Sequence, residues 1–314
     1  MGHRPDPLHP RRRRRALVEP PATFAGFDEV RCDVGEVTLY ARVGGSGPPL
    51  VALHGYPQSH RAWAGVASEL ARHHTLVVPD LRGYGQSGIV APDATHAAYS
   101  KRTMARDIVA LMSALGHERF AIAGHDRGAR VAYRLALDAP ERVRKLACLD
   151  IMPTLETFEA MDYRGAFRAY HWYFLAQPAP LPERMIEADI DGYIAWTLRS
   201  WWASEQPMDP QAIAEYATAF HRPGAIAAAC EDYRAGYSVD LAADRADRAA
   251  GRRIACPVLV LWGAGPTAER GTNFIPVWQR WADDVRGAAL PCGHFLMEEA
   301  PQATAAALVA FFAP

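Results

Sequence analysis

Short apolar runs alternate with longer segments of helical periodicity along most of the 314-residue chain. Several runs, such as those at 50–53 and 258–261, are apolar throughout, which is typical of strands buried on both faces of a parallel sheet. The pattern predicts strands over 29–34, 37–43, 50–53, 75–79, 120–123, 145–149, 258–262 and 285–290. It predicts helices over 60–72, 101–115, 128–138, 272–281 and 299–312. This alternation indicates an α/β fold with a mostly parallel eight-stranded sheet flanked by helices.

The alternation stops between residues 153 and 243, where no strand pattern is visible and aromatic side chains are frequent. A helical cap inserted over the carboxyl edge of the sheet would explain both facts, because ligand sites in open α/β sheets lie at that edge. Most of the aromatic residues are expected simply to pack the core of this cap. The sequence therefore predicts a core domain over 23–152 and 244–314, a helical cap over 153–243, and a disordered basic arm over 1–22.

Composition narrows the classes of function. Half of the residues are hydrophobic, and 34 basic residues face 35 acidic ones, for a net charge of -1. This balance gives no reason to expect nucleic acid or an anionic membrane as a partner. The arginines at 11–15 precede too few apolar residues for an export signal, and no segment approaches the roughly 20 apolar residues of a membrane span. A cytoplasmic protein is expected.

The five cysteines are scattered and lack the spacing of metal ligands; they are Cys32, Cys148, Cys230, Cys256 and Cys292. Cysteines without such spacing usually act as small buried hydrophobic side chains in a reducing compartment. Neither a metal site nor a cofactor is predicted.

The candidate nucleophile is Asp126, in the pentapeptide Gly-His-Asp-Arg-Gly at 124–128. The segment lies between a predicted strand and a predicted helix, and its glycines suit a tight turn in which a Cβ would not fit. A carboxylate at this position can displace a leaving group from carbon and form an ester that water then cleaves. The alternative is that Asp126 only caps the following helix. The candidate base and acid described next disfavour this alternative.

Hydrolysis of such an ester requires a base and an acidic residue that orients it. His294 follows the last predicted strand, where this fold supplies its histidine. Asp150, at the end of the strand 145–149, is the favoured acid, and Glu269 is the fallback. The N–H groups of Tyr56 and Arg127 are placed to stabilise an oxyanion. The turn-rich loop at 80–87 is expected to be structural.

The chain resembles the fluoroacetate (haloacetate) dehalogenases of the α/β-hydrolase superfamily. The matching motifs run from about residue 24 to the C-terminus and include His-Gly-Tyr-Pro-Gln-Ser (54–59), Asp-Leu-Arg-Gly-Tyr-Gly-Gln-Ser (80–87), Gly-His-Asp-Arg-Gly-Ala-Arg (124–130), His-Trp (171–172), Cys-Glu-Asp-Tyr-Arg-Ala (230–235) and Gly-His-Phe (293–295). The resemblance implies hydrolysis of a haloacetate to glycolate and halide, and it also implies a homodimer.

The same resemblance implies roles for individual residues. Arg127 and Arg130 would hold the substrate carboxylate, since a guanidinium can pair with two oxygens and stays charged. His171, Trp172 and Tyr233 would bind the departing halide, with Tyr237 as a nearby substitute for Tyr233. The expected partner is a small haloacid.

Three alternatives remain open. Haloalkane dehalogenases and epoxide hydrolases also use an aspartate nucleophile, but both typically carry tryptophan directly after it, where this chain has Arg127. An epoxide hydrolase is the stronger of the two, because Tyr233 and another cap tyrosine could donate protons to an epoxide oxygen. A catalytically silent binding protein is disfavoured because nucleophile, base and acid are all in place.

Overall fold

The computed structural model describes residues 24–265 and 273–313, which form a sheet of eight strands with helices on both faces. The strands are β1 Asp28–Asp33, β2 Thr38–Gly44, β3 Pro49–Leu53, β4 Thr75–Pro79, β5 Phe120–His125, β6 Val143–Leu149, β7 Val258–Gly263 and β8 Val285–Leu290. Their order across the sheet is β1-β2-β4-β3-β5-β6-β7-β8. β2 runs antiparallel to β1 and β4, and the remaining neighbours are parallel. The predicted eight-stranded, mostly parallel sheet is confirmed.

Helices connect the strands of the core. They are α1 Ala64–Ala71, α2 Lys101–Ala114, α3 Arg127–Asp138, α12 Ile275–Trp278, α13 Leu296–Glu299 and α14 Pro301–Phe312. Short 3-10 turns at His60–Trp63, Ala97–Tyr99 and Pro140–Arg142 precede α1, α2 and β6. The helix predicted over 272–281 is wrong in length: within its described part only Ile275–Trp278 is helical, and residue 272 lies outside the described residues.

Alternate residues of the central strands supply two separate apolar cores. Val51, Ile122 and Leu146 pack on one face with α2 and α3. Leu50, Ala123 and Ala147 pack on the other face with α1 and α14. Because side chains along a strand alternate between the faces, strands that are apolar at every position can be covered on both sides.

The chain between β6 and β7 is helical. It comprises α4 Thr154–Glu159, α5 Tyr163–Arg168, α6 Tyr170–Leu175, α7 Leu181–Glu187, α8 Ile190–Trp201, α9 Pro210–Phe220, α10 Ala225–Ala235 and α11 Leu241–Ala249. A π-helical segment, Gly236–Asp240, joins α10 to α11, so that 225–249 is one continuous helical stretch. The predicted boundary at residue 243 falls inside this stretch.

In the part of the chain that the structure describes, no helix is both long enough and apolar enough to cross a membrane. The predicted basic arm at 1–22 lies outside the described residues.

Candidate active site

Asp126 lies in the turn between β5 and α3, with φ 48° and ψ -119°. A positive φ in a residue other than glycine costs on the order of 1–3 kcal/mol, so the surroundings must impose it. The Asp126 N–H donates to the Leu149 carbonyl at 3.2 Å, and the Asp126 carbonyl accepts from the Ala129 N–H at 3.0 Å. These contacts hold the sharp strand-to-helix turn that presents a nucleophile at the edge of the sheet.

Three glycines make room for this turn. A Cβ on Gly124 would lie 2.5 Å from the Ala129 Cα, and one on Gly128 would lie 2.3 Å from the His54 carbonyl oxygen. A Cβ on Gly55 would lie 2.4 Å from the Cβ of Asp126 itself. Because the first two contacts are with backbone atoms, which cannot rotate away, the predicted need for glycine has a direct steric cause.

The carboxylate of Asp126 is buried and ionised. Burial by itself would raise its pKa, but the nearby charges of His294, Arg127 and Arg130 outweigh burial and lower it. The N–H of Tyr56 donates to Oδ1 at 2.8 Å. Arg127 is the first residue of α3, so its own N–H has no acceptor within the helix. The Tyr56 N–H contacts the Asp126 carboxylate, and the oxyanion role of the Tyr56 and Arg127 N–H groups stays a prediction.

His294 connects the two aspartates. Its Nδ1 lies 2.6 Å from Asp150 Oδ2, and its Nε2 lies 3.9 Å from Asp126 Oδ2. The other oxygen of Asp150 accepts from the Gly263 N–H at 2.9 Å, which fixes the carboxylate. A carboxylate at Nδ1 keeps the proton on that nitrogen and leaves Nε2 able to accept one. Glu269, the fallback acid, lies outside the described residues.

The electrostatics of this pair suit a base. Burial lowers the pKa of His294, but the hydrogen bond and charge of Asp150 outweigh burial and raise it overall. The neighbouring His125 behaves differently: burial lowers its pKa to about 4. His125 is therefore neutral at physiological pH, and its Nε2 lies 2.7 Å from the His294 carbonyl oxygen. The neutral His125 therefore hydrogen-bonds to the backbone of His294 and does not compete for the proton that the His294 imidazole would take up.

A cavity of about 380 Å³ opens above these residues. Its floor includes Asp126, Asp150 and His294, and helices α5, α6 and α8 supply its walls. Side chains that line it near the floor include Arg130, His171, Trp172 and Trp201. A volume in the range of ordinary small-molecule sites fits the predicted small substrate.

Arg130 is buried and faces this cavity. Its Nη1 donates to the Met152 carbonyl at 3.1 Å and to Thr154 Oγ1 at 3.0 Å, while its Nε is buried without a hydrogen-bond partner. None of the ion pairs among the described residues includes Arg130, and its guanidinium stacks on Trp172 at 4.4 Å. A buried cation without a carboxylate is costly, so this one is suited to an anionic ligand.

Arg127 occupies a different position. Its Nη2 donates to Asp232 Oδ1 and to the Asp232 carbonyl, both at 2.6 Å, and its Nε donates to Oδ2 at 3.2 Å. Lys101 also contacts Asp232, and Tyr84 donates to it at 2.7 Å. Arg127 is absent from the residues that line the cavity. The sequence pattern placed Arg127 beside the nucleophile but did not reveal that a cap aspartate neutralises its charge.

The three predicted halide ligands lie together. The Tyr233 ring lies 5.7 Å from that of His171 and 6.2 Å from that of Trp172, and the Arg127 guanidinium stacks on Tyr233 at 4.2 Å. His171 and Trp172 line the cavity, whereas Tyr233 is not among its lining residues. Tyr237, the proposed substitute, is 61% exposed. Its exposure makes it a poor substitute for Tyr233.

Sequence reasoning missed several residues that support this site. Asp232 adjoins Tyr233 in the Glu-Asp-Tyr-Arg motif, but its partner Arg127 is 105 positions away. Glu299 accepts from the N–H groups of Gly293 and Phe295, on either side of His294, at 2.8 and 3.0 Å. Because Glu299 follows His294 by only five residues, its place in the sequence could have indicated a role in holding the His294 loop. The Trp201 ring contacts that of His171, with the centroids 4.5 Å apart and the planes tilted by 49°.

The described residues contain no group of three or more His, Cys, Asp or Glu side chains arranged to hold a metal ion.

Residues 48–301 match the family model described as alpha/beta hydrolase fold. A fluoroacetate dehalogenase from Burkholderia sp is 46% identical over 292 residues, which cover 92% of this chain and 94% of that protein. A soluble epoxide hydrolase from Corynebacterium sp. (strain C12) is 34% identical, over 86% of this chain and 92% of that protein. The solved structure of ALR0039 from Nostoc sp PCC 7120 has a TM-score of 0.89 and 46% identity, over 92% of this chain and 99% of that one.

These matches span most of the chain and most of each relative. They also confirm the resemblance to the fluoroacetate dehalogenases. The chain belongs to the α/β-hydrolase fold family.

Proposed function

We propose that the protein hydrolyses haloacetates to glycolate and halide through an ester formed on Asp126. One observation carries this proposal: the ionised Asp126 and the buried, carboxylate-free Arg130 open onto the same cavity. A haloacetate brings a carboxylate for Arg130 and an electrophilic α-carbon for Asp126 within one small molecule. The 46% identity to a fluoroacetate dehalogenase supports the same substrate class.

In the first step Asp126 displaces the halide. The Tyr56 N–H holds Oδ1, so Oδ2 is the oxygen that attacks the α-carbon. Arg130 binds the substrate carboxylate. The halide leaves toward the N–H and O–H groups of His171, Trp172 and Tyr233. Holding the carboxylate in place aligns the reacting atoms and supplies much of the rate acceleration.

In the second step water cleaves the ester. His294 takes a proton from the water through Nε2, while Asp150 stabilises the imidazolium. The hydroxide attacks the carbonyl carbon of the Asp126 ester, and negative charge develops on Oδ1. The N–H groups of Tyr56 and Arg127 stabilise that oxyanion. Glycolate departs and Asp126 is regenerated.

Neutral haloalkanes suit the site less well. A neutral ligand would leave Arg130 buried without an anion, and a buried unpaired charge costs several kcal/mol. We therefore expect a haloacid to be favoured over a haloalkane of similar size. Measuring chloride release from chloroacetate and from 1-chloropropane compares the two substrate classes directly.

The ester is tested by single turnover in heavy-oxygen water. We expect the label in Asp126 and not in the first glycolate released, and His294→Gln should release one equivalent of halide and accumulate the ester. In the wild type the rate of ester cleavage should rise with pH through the raised pKa of His294, because only the neutral imidazole accepts a proton. Label in the first glycolate, or sustained turnover by His294→Gln, would exclude the covalent route.

The carboxylate site is tested by Arg130→Met, with Arg106→Met as a matched control on the exposed side of α2. Loss of a charge-assisted contact costs about 1.5–3 kcal/mol, which corresponds to roughly 10- to 150-fold in kcat/KM for chloroacetate. The control should keep full activity. An Arg130→Met enzyme with unchanged kcat/KM would rule out this anchor.

For the assembly we propose a homodimer, as the family resemblance implies, and for its location the cytoplasm, as the sequence predicts. Light scattering on the purified chain would test the first part, because a monomer at micromolar concentration contradicts it.

A further inference from the structure

The cavity above the catalytic residues is larger than a haloacetate requires. Its volume is about 380 Å³, which at about 30 Å³ for each water molecule would hold roughly a dozen waters. Its lining includes Phe167 and Trp196, which are 82% and 56% exposed and therefore lie where the cavity opens to solvent. We refer to the part lined by Met161, Phe167, Arg168 and Trp196 as the outer chamber. A haloacetate bound to Asp126 at the floor leaves this outer chamber to be filled.

The outer chamber carries a single charged side chain, that of Arg168. Arg168 is the last residue of α5 and is exposed. None of the ion pairs among the described residues includes its guanidinium. The carboxylates among the described residues that line the cavity are those of Asp126 and Asp150, and both belong to the reaction at the floor. The outer chamber therefore presents a cation that no carboxylate of its own wall neutralises.

Arg130 is the second unpaired cation of the same cavity, at its inner end. It is 3% exposed and would hold the carboxylate of a haloacetate. The inner end also includes His171, whose ring contacts that of Trp201. Arg168 precedes His171 by three residues, so the Cα atoms of these two residues are at most ~11 Å apart. A short carbon chain that starts at the floor can therefore reach the guanidinium of Arg168.

Apolar side chains form much of the remaining wall. They include Ile151, Met161, Ala169, Trp196 and Trp201. Surfaces of this kind favour methylene groups, because burial of apolar area is what stabilises them. The cavity thus combines a cation at the inner end, an apolar wall, and a second cation at the opening.

We infer that the site also accepts 2-halo dicarboxylates, in which methylene groups join the halogen-bearing carbon to a second carboxylate, and that Arg168 selects them. A suitable probe is 2-chlorohexanedioate. Arg130 binds the carboxylate next to the chlorine, and Arg168 binds the distal carboxylate at the opening, since a guanidinium matches a carboxylate in charge and shape. This inference rests on the proposed haloacid function, because it uses the same anchor and the same nucleophile.

The reaction requires water as its only co-reactant. Asp126 Oδ2 forms a bond to C2 while the bond from C2 to chlorine breaks, and chloride leaves with both electrons. His294 then takes a proton from water, and the hydroxide cleaves the ester at the Asp126 carbonyl carbon. The product alkoxide takes the proton of the new carboxyl group, and His294 releases its proton to solvent. The products are 2-hydroxyhexanedioate, chloride and one proton.

Arg168 should act on binding and not on the chemical step. Its guanidinium contacts the end of the substrate that does not react, and a contact made equally before and in the transition state lowers KM without changing kcat. A charge pair open to water changes affinity by roughly twofold to fivefold. We expect Arg168→Gln to raise KM for 2-chlorohexanedioate by this factor. KM for 2-chlorohexanoate should stay constant, because a methyl group replaces its distal carboxylate.

The experiment measures chloride release by the full chain as wild type, Arg168→Gln and the matched control Arg164→Gln. Arg164 is an exposed arginine of the same helix that is not among the residues lining the cavity. The substrates are 2-chlorohexanedioate, 2-chlorohexanoate and chloroacetate, and the enantiomers of the first two are assayed separately because C2 is chiral. Arg164→Gln should match wild type. The effect of Arg168→Gln should disappear at about 1 M salt, where the Debye length is about 3 Å.

The outcomes separate the two proposals. Chloride released from chloroacetate but not from 2-chlorohexanedioate overturns this inference and leaves the haloacid function standing. Chloride released from none of the three substrates overturns the haloacid function as well. An equal change in KM for both six-carbon substrates in Arg168→Gln, or an equal change in Arg164→Gln, overturns selection by Arg168. A rise in KM confined to the dicarboxylate and abolished by salt supports it.

Discussion

Replacing Asp232 by asparagine should destabilise the protein strongly. Asp232 is fully buried, pairs with Arg127 at 2.6 Å, contacts Lys101, and accepts from Tyr84 at 2.7 Å. Burial alone would raise the pKa of Asp232, but Arg127 and Lys101 outweigh burial and lower it far below its usual value. Asp232→Asn keeps the shape of the side chain but leaves Arg127 without a counter-charge and Lys101 with Asp240 alone, at 3.4 Å.

Removal of one partner from a buried ion pair costs about 3–5 kcal/mol. Since domains unfold with about 5–15 kcal/mol in total, this is a large share of the stability. Urea unfolding at pH 7 of wild type, Asp232→Asn, Lys101→Met and the double variant measures it. We expect Lys101→Met to offset part of the Asp232→Asn loss, because it removes one of the two cations that Asp232 contacts, with a coupling of about 1–3 kcal/mol.

The pH dependence has a definite sign. A carboxylate whose pKa is lowered by folding contributes stability above its unfolded pKa of about 3.9, and this contribution disappears as pH falls toward the folded value. The difference between wild type and Asp232→Asn should therefore be constant from pH 5 to 8 and shrink below about pH 4. A loss under 1 kcal/mol at pH 7, or strict additivity with Lys101→Met, would refute the reasoning.

Two adjacent glutamates should respond in different ways. Glu299→Gln places an N–H₂ group among the backbone N–H donors that hold the His294 loop. The displaced His294 should lower kcat about tenfold or more, and mass spectrometry should show the ester accumulating on Asp126. An unchanged kcat contradicts this role of Glu299. Burial raises the pKa of Glu298 to about 8, so its stabilising contribution is present at low pH and disappears as pH rises from about 4.3 to 8. The free energy of unfolding of Glu298→Gln should therefore increase relative to that of wild type between pH 5 and 9, by on the order of a few kcal/mol in urea unfolding. A difference between the two proteins that does not change with pH refutes the raised pKa of Glu298.

The fold was predictable because its signal is local. The central strands are apolar at every position, and the structure covers both of their faces. The helix expected over 272–281 was wrong in length because a contact between distant parts of the sequence intervenes. Ile275 and Trp278 are three positions apart, as in a helix, but the helix ends at Trp278, and the Trp281 carbonyl accepts from the Ile254 N–H at 2.7 Å.

The sequence predicted which residues form the candidate site, but not which of its charged side chains are paired with an opposite charge. Asp126, Asp150 and His294 follow predicted strand ends, and parallel strands bring those ends to one edge of the sheet. The pairing of Arg127 with Asp232 joins a core helix to a cap helix, and no periodicity along the chain encodes such a contact. Sequence alone therefore gave two equivalent arginines, whereas the structure distinguishes a neutralised one from an unpaired one.

The continuous helical stretch at 225–249 bears on how substrate reaches the cavity. At one end Asp232 is bound to Arg127, and at the other Asp244 and Asp247 bind Arg134 of α3 at 2.8 and 2.5 Å. Because these ion pairs hold the helical stretch to the core at two places, we expect Tyr233 and Asp126 to keep their spacing during turnover. We therefore expect entry and exit to depend on the opposite wall, where Phe167 and Arg168 of α5 line the cavity. We expect crosslinking of α5 to slow product release while leaving the first ester-forming turnover intact.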